Sequence, residues 1–140
     1  LTSYNLYENK SPNFATPSEL SAPVLSGLAI RATDLVAIYS NPIVAGKVFE
    51  NCEFYGPAVW SIRDNNAMGN GLNIIAEAGV TADTAIISTN NTEYLGVIIF
   101  DSNVFKGVNK LHNISIINNS PEQVTQMREE LRKSLERMGK

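Results

Sequence analysis

Between Val24 and Asn119 the pattern is one of short apolar runs separated by polar punctuation. The runs are Val24–Ile30, Leu35–Tyr39, Ile43–Val48, Ala58–Ile62, Leu72–Ile75, Ala85–Ile87, Tyr94–Phe100 and Ile114–Ile117. They are rich in Val and Ile, and none sustains a helical period for three turns. Gly or Asn stands in the connections, as in Gly69-Asn70-Gly71 and Asn90-Asn91. Asn tolerates left-handed backbone and bonds its own main chain, so its abundance marks tight turns. A chain punctuated in this way builds strands. Only Ile75–Ala82, alanine-rich with Gly79 in its middle, departs from that pattern.

An internal repeat adds an architecture. Phe49-Glu50-Asn51-Cys52-Glu53-Phe54-Tyr55-Gly56 aligns with Phe100-Asp101-Ser102-Asn103-Val104-Phe105-Lys106-Gly107. Fainter echoes begin at Ile30-Arg31 and at Leu111-His112. In each unit an apolar residue points inward, a small polar residue takes a bend, a second inward pair opens the next strand, and Gly permits the exit. Units of this size bury an apolar face only by stacking on neighbours. Stacking then predicts Phe over Phe, an internal Asn ladder, and Glu50 over Asp101.

The stretch from Phe49 to Val59, including Asn51-Cys52 and Gly56-Pro57-Ala58-Val59, resembles the motif of right-handed parallel β-helix proteins of the pectate-lyase-like group, closest to short bacterial members. The resemblance implies a fold and no activity. The expectation is an all-β chain: a short right-handed parallel β-helix, or β-solenoid, over residues 24–119. An antiparallel β-sandwich is the alternative, because it too gives short strands at this spacing.

Residues 1–23 read as an irregular arm or linker, punctuated by Pro12, Pro17 and Pro23, which either leads from an upstream element or covers an open edge. Residues 120–140 read as an amphipathic helix. Ser120 is its cap, Pro121 its first residue and Gln123 the partner in a capping box. Val124, Met127, Leu131, Leu135 and Met138 form its apolar stripe, with Glu129–Lys133 and Arg132–Glu136 pairs on the solvated side. That stripe suits a lid over the last strands better than a coiled coil, which needs more heptads.

Chemistry is harder to find. The net charge of -3 and 18% charged residues give no attraction for nucleic acid or an anionic bilayer. No run approaches a membrane span. One cysteine, Cys52, and one histidine, His112, leave no metal cluster and imply no cofactor; Cys52 reads as a small buried hydrophobe. Gly69-Asn70-Gly71 reads as a turn, since no phosphate-loop lysine follows. Glu50, Asp101 and Arg63, with Glu53, Asp64 and Lys106 nearby, are the candidate catalytic acids and bases for a polysaccharide. Tyr55 and Trp60, with Tyr94, are the candidate sugar-stacking rings. The bland readings are solvated decoration for the charges and core packing for Trp60. The balance leans to a non-enzymatic interaction or assembly module with a protein partner or self-association. The alternative is a protein that binds or cleaves a glycan along an acidic sheet face. A start at Leu1 reads as a trimmed product, the soluble part of a larger or membrane-anchored bacterial protein.

Overall fold

The computed structural model describes residues 13–38, 42–63, 65–69, 72–75, 80–89 and 96–137. Asp64, Tyr94, Met138, the Asn70-Gly71 turn and the arm before Asn13 lie outside them. The described chain is mostly strand. In order it forms α1 (Pro17–Leu20), β1 (Val24–Ser26), β2 (Ala29–Arg31), α2 (Ala32–Ile38), β3 (Ile43–Ala45), β4 (Val48–Glu50) and β5 (Glu53–Ile62). There follow β6 (Ala67–Met68), β7 (Leu72–Ile74), α3 (Ala82–Ala85), β8 (Ile86–Ser88), β9 (Ile98–Asp101), β10 (Val104–Lys106), β11 (Asn109–Asn118) and α4 (Pro121–Arg137).

Every pairing between these strands is parallel. The antiparallel sandwich is therefore not the arrangement. One sheet has the order β1-β4-β10-β6, and the other holds β3, β9, β5, β11 and β7, with β2 and β8 at its sides. Read across the pairings, the strands lie in four levels. The first is β1 and β2; the second is β3, β4 and the start of β5; the third is β9, β10 and the start of β11; the fourth is the end of β5, then β6 and β7. The third level is the last in the sequence, inserted between two levels built by residues 43–74.

Three columns of inward residues run through the levels. Leu25, Phe49, Phe105 and Met68 form one; Ile30, Phe54, Leu111 and Ile74 form the next; Val44, Phe100 and Ile62 form the third. Phe stacks on Phe as expected, but on a different one. Phe49 lies on Phe105, ring centroids 5.3 Å apart and planes 20° from parallel, while Phe100 sits over Val44. The repeat is thus offset by one strand. Inward residues recur at a spacing of five, as in Val44, Phe49 and Phe54, so sliding the motif by one strand still matches Phe to Phe. The corners decide the true register. Asn103, buried, accepts the Lys47 N–H at 3.0 Å, and its own N–H donates to Asn66 Oδ1 at 2.9 Å. Its Nδ2 donates to the Val44 carbonyl at 2.8 Å. Asn109 repeats the device at the next corner, accepting the Cys52 N–H at 2.9 Å. These side chains replace the ladder bonds that a bending backbone loses, which is why buried Asn recurs.

The left-handed region serves the strand exits, but Gly56, expected at an exit turn, lies inside β5 (Glu53–Ile62). Asn51, Ser102 and Gly107 have φ near +60°, the left-handed turn anticipated for Asn and Gly. Gly56 has another reason. A Cβ there would lie 2.0 Å from the Asn113 carbonyl oxygen, so close approach of β5 to β11 excludes any side chain.

Three local expectations change. The Leu35–Tyr39 run falls largely in α2, whose buried Ala32 and Leu35 sit three apart on one helical face. The arm is not wholly irregular. Thr16 and Glu19 form a capping box for α1, Leu20 is buried, and Phe14 bridges Ala29 at the edge of β2. At α4, Ser120 Oγ accepts the Gln123 N–H at 3.4 Å, but the Gln123 side chain accepts from Asn118 and leaves the box half made. The helix packs on β8, α3 and β11 with Val124 and Leu135 buried, in the position of a lid. Arg128 Nε donates to the Ile86 carbonyl at 3.0 Å, and Arg128 and Arg132 both approach Asp83. The charged face of the helix is thus partly a docking face.

Candidate functional site

The offset of the repeat decides where the candidate acids fall. Glu50 pairs in register with Ser26 and Lys106, whereas Asp101 pairs with Ala45 on the other sheet. The expected Glu50–Asp101 stack is not formed. Glu50 accepts the Ser26 hydroxyl at 3.0 Å. Asp101 is brought beside Arg63, whose Nη1 lies 2.7 Å from Asp101 Oδ2, because Ile62 is in register with Phe100. Ser102 Oγ donates to the other carboxylate oxygen at 2.7 Å, and Asn65 Nδ2 bonds it too. Hydrogen bonds from Ser102, then Arg63, then Asn65 hold the Asp101 carboxyl below the usual carboxylate range. This is a closed cluster tying one corner to the next level. A carboxylate kept charged and fully hydrogen-bonded is a poor proton donor at neutral pH.

The aromatic candidates separate. Trp60 is fully buried against Phe54 and Phe100, so it packs and presents no platform to a sugar. Its indole nitrogen has no hydrogen-bond partner among the described residues. Tyr55 faces outward, half-buried, in register with Arg31 and His112. The two faint echoes at Ile30-Arg31 and Leu111-His112 therefore occupy one column after all, with Phe54-Tyr55 between them. The His112 ring lies on Tyr55 at 4.4 Å and 3°, Phe14 meets Tyr55 edge-on at 5.5 Å, and Arg31 sits 4.4 Å over Phe14. Glu53 Oε1 is 3.0 Å from His112 Nε2. Among these rings the sequence singles out Tyr55 alone. The rest of the column needs the register.

Cys52 is buried, its thiol donating to the Leu25 carbonyl at 3.3 Å, and burial pushes its pKa up. It behaves as a core residue. Among the described residues no cluster of three or more His, Cys, Asp or Glu is placed to hold a metal ion. No described helix is long and apolar enough to cross a membrane.

Two hollows lie at the end of the stack. Met68 occupies an inward column position yet is 39% exposed, because the fourth level has no strand beyond it there among the described residues. A cavity of about 320 Å³ opens between that level and α4, lined by Ile62, Met68, Leu72, Ile74, Ile86 and Met127, with Arg63 and Asn66 at its rim. A second hollow of about 460 Å³ shares Leu72, Ile74, Ile86 and Met127 and runs along α4 to Leu131 and Ser134. Neither Met68 nor Met127 stands out in the sequence as a surface residue, since each sits in an ordinary apolar pattern.

The chain matches no known family model, no curated protein and no solved structure.

Proposed function

We propose that this chain is a short right-handed parallel β-solenoid acting as a non-enzymatic interaction or assembly module. Three inward columns and two corner Asn devices support the solenoid reading, together with the Phe49–Val59 resemblance to β-helix proteins. The right hand follows from the strong general preference of parallel crossovers. The observation that carries the functional half is the use made of the charged candidates. Asp101, Arg63, Asn65 and Ser102 bond one another, Glu50 bonds Ser26, and Glu53 meets His112. These groups brace levels against each other and converge on no common cleft. What remains outward is shape: flat parallel sheet and an apolar hollow under α4.

The test sets the module against the glycan reading directly. The purified chain is incubated with acidic and neutral oligosaccharides while its mass is followed by sedimentation velocity. The proposal expects no cleavage product, no glycan binding, and a mass that rises with protein concentration. Cleavage that disappears in Asp101→Asn would reverse the assignment in favour of a glycan-active protein.

A further inference from the structure

We infer that the outer face of the β1-β4-β10-β6 sheet is a self-complementary surface on which two copies of this chain pair. The inference rests on the module reading and names its partner as a second copy. Alternate residues of a strand face opposite sides, so the buried column Leu25, Phe49, Phe105 and Met68 puts its neighbours outside. The first outer column is Val24, Val48, Val104 and Ala67, an unbroken apolar row across all four strands. Val24 is 53% exposed, and Val108 at the adjoining corner is 45% exposed. Single exposed apolar residues need no explanation, but a row in register is different. Parallel sheets seldom leave an apolar face in water.

The second outer column is Ser26, Glu50, Lys106 and Gly69, with one acid and one base on the two central strands. Among the described residues Lys106 makes no ion pair. A two-fold axis running along the strands, midway between β4 and β10, exchanges the second level with the third and the first with the fourth. It sets Val48 against the second copy's Val104, Val24 against its Ala67, and Glu50 against its Lys106. The same operation sets Lys106 against the second copy's Glu50. One symmetry element thus satisfies the apolar row and both charges together, as an isologous contact requires. Charges of the same sign at positions 50 and 106 would forbid it.

The face spans only four short strands, roughly 14 Å across at the usual strand spacing. A patch of that width buries well below the ~800 Å² per partner of a stable complex, so the dimer is weak and appears as concentration rises. Sedimentation equilibrium over roughly 10 µM to 1 mM, the range suited to so small a contact, measures it. Methyl spectra of Val24, Val48 and Val104 show whether this face changes with concentration. Glu50→Lys and Lys106→Glu should each weaken association about tenfold. The double charge exchange, which restores opposite signs, should recover it to within about threefold of the parent. Thermal melting checks that each variant is folded, and Val104→Thr, which keeps the branched shape, weakens the dimer without a charge change. A monomer throughout overturns the inference. So does association that both charge reversals leave unchanged, or methyl shifts confined to the α4 hollow; those last two results leave the module reading standing.

Discussion

Asn103 shows how one side chain fixes a corner. It accepts from the second level, donates back to the Val44 carbonyl, and offers its own N–H to Asn66 in the fourth. Asn103→Ala strips the Lys47 N–H of the Asn103 acceptor and removes a bond to the Val44 carbonyl, in a site closed to water. An orphaned donor costs about 1–3 kcal/mol, so with the lost carbonyl bond the variant should lose about 2–4 kcal/mol in urea unfolding. Asn103→Asp keeps the acceptor but buries a carboxylate against the Val44 and Asp101 carbonyls and Asn66 Oδ1, so it should be at least as destabilised as the Ala variant. Asp101 is the nearby residue whose role is read by pH. Its folded pKa is lowered by Ser102, Arg63 and Asn65, so its contribution to stability is complete above the ordinary value of ~3.9 and fades as pH falls through the lowered one. Melting temperature followed from near-neutral to strongly acidic pH should therefore drop more steeply for the parent than for Asp101→Asn. Equal slopes would show the cluster to be without weight.

At the scale of elements, strands were legible and their partners were not. Leu72–Ile75 marked β7 nearly in place and Tyr94–Phe100 overlapped β9, but Val24–Ile30 and Ile43–Val48 each read as one run where left-handed Gly27 and Gly46 bend the chain into β1 and β2, and into β3 and β4. α2 escaped because Ala-Thr-Asp-Leu-Val-Ala-Ile is short and rich in branched residues, and its helical face shows only in Ala32 and Leu35. The candidate site suffered from the register. With inward residues five apart, nothing local distinguishes Phe49 over Phe100 from Phe49 over Phe105, and the choice moves every acid to a new neighbour. α4 was the most legible element, yet its docking was not. Its arginines reach toward Asp83 and the Ile86 carbonyl in place of a simple solvated face. Arg128→Met keeps the apolar stem and removes the bond to Ile86. It should cost about 1–2 kcal/mol in chemical denaturation, whereas Glu129→Ala on the exposed side should change little.

In the whole molecule, the third level ties two segments that are themselves adjacent in sequence. β4 and β6 have no pairing with each other, nor does β7 with the start of β5; β10 and β11 stand between them. A chain cut between Thr89 and Gly96 should accordingly give an N-terminal piece without cooperative unfolding. Adding the C-terminal piece should restore a single sharp transition in circular dichroism. Two independent transitions in the mixture would show that the pieces do not depend on one another. Folding of the intact chain should be slow for its length, because most of its contacts join distant residues.

The inserted level also sets a timetable for synthesis. On the ribosome, residues 43–74 emerge before the strands that must lie between them, at about 5–20 residues per second. Until those strands arrive, β4, β6 and β7 lack the β10 and β11 partners they pair with in the finished fold. That pairing cannot be completed until residues 98–118 have followed. Strand edges left unpaired for that interval are where a neighbouring nascent chain can add.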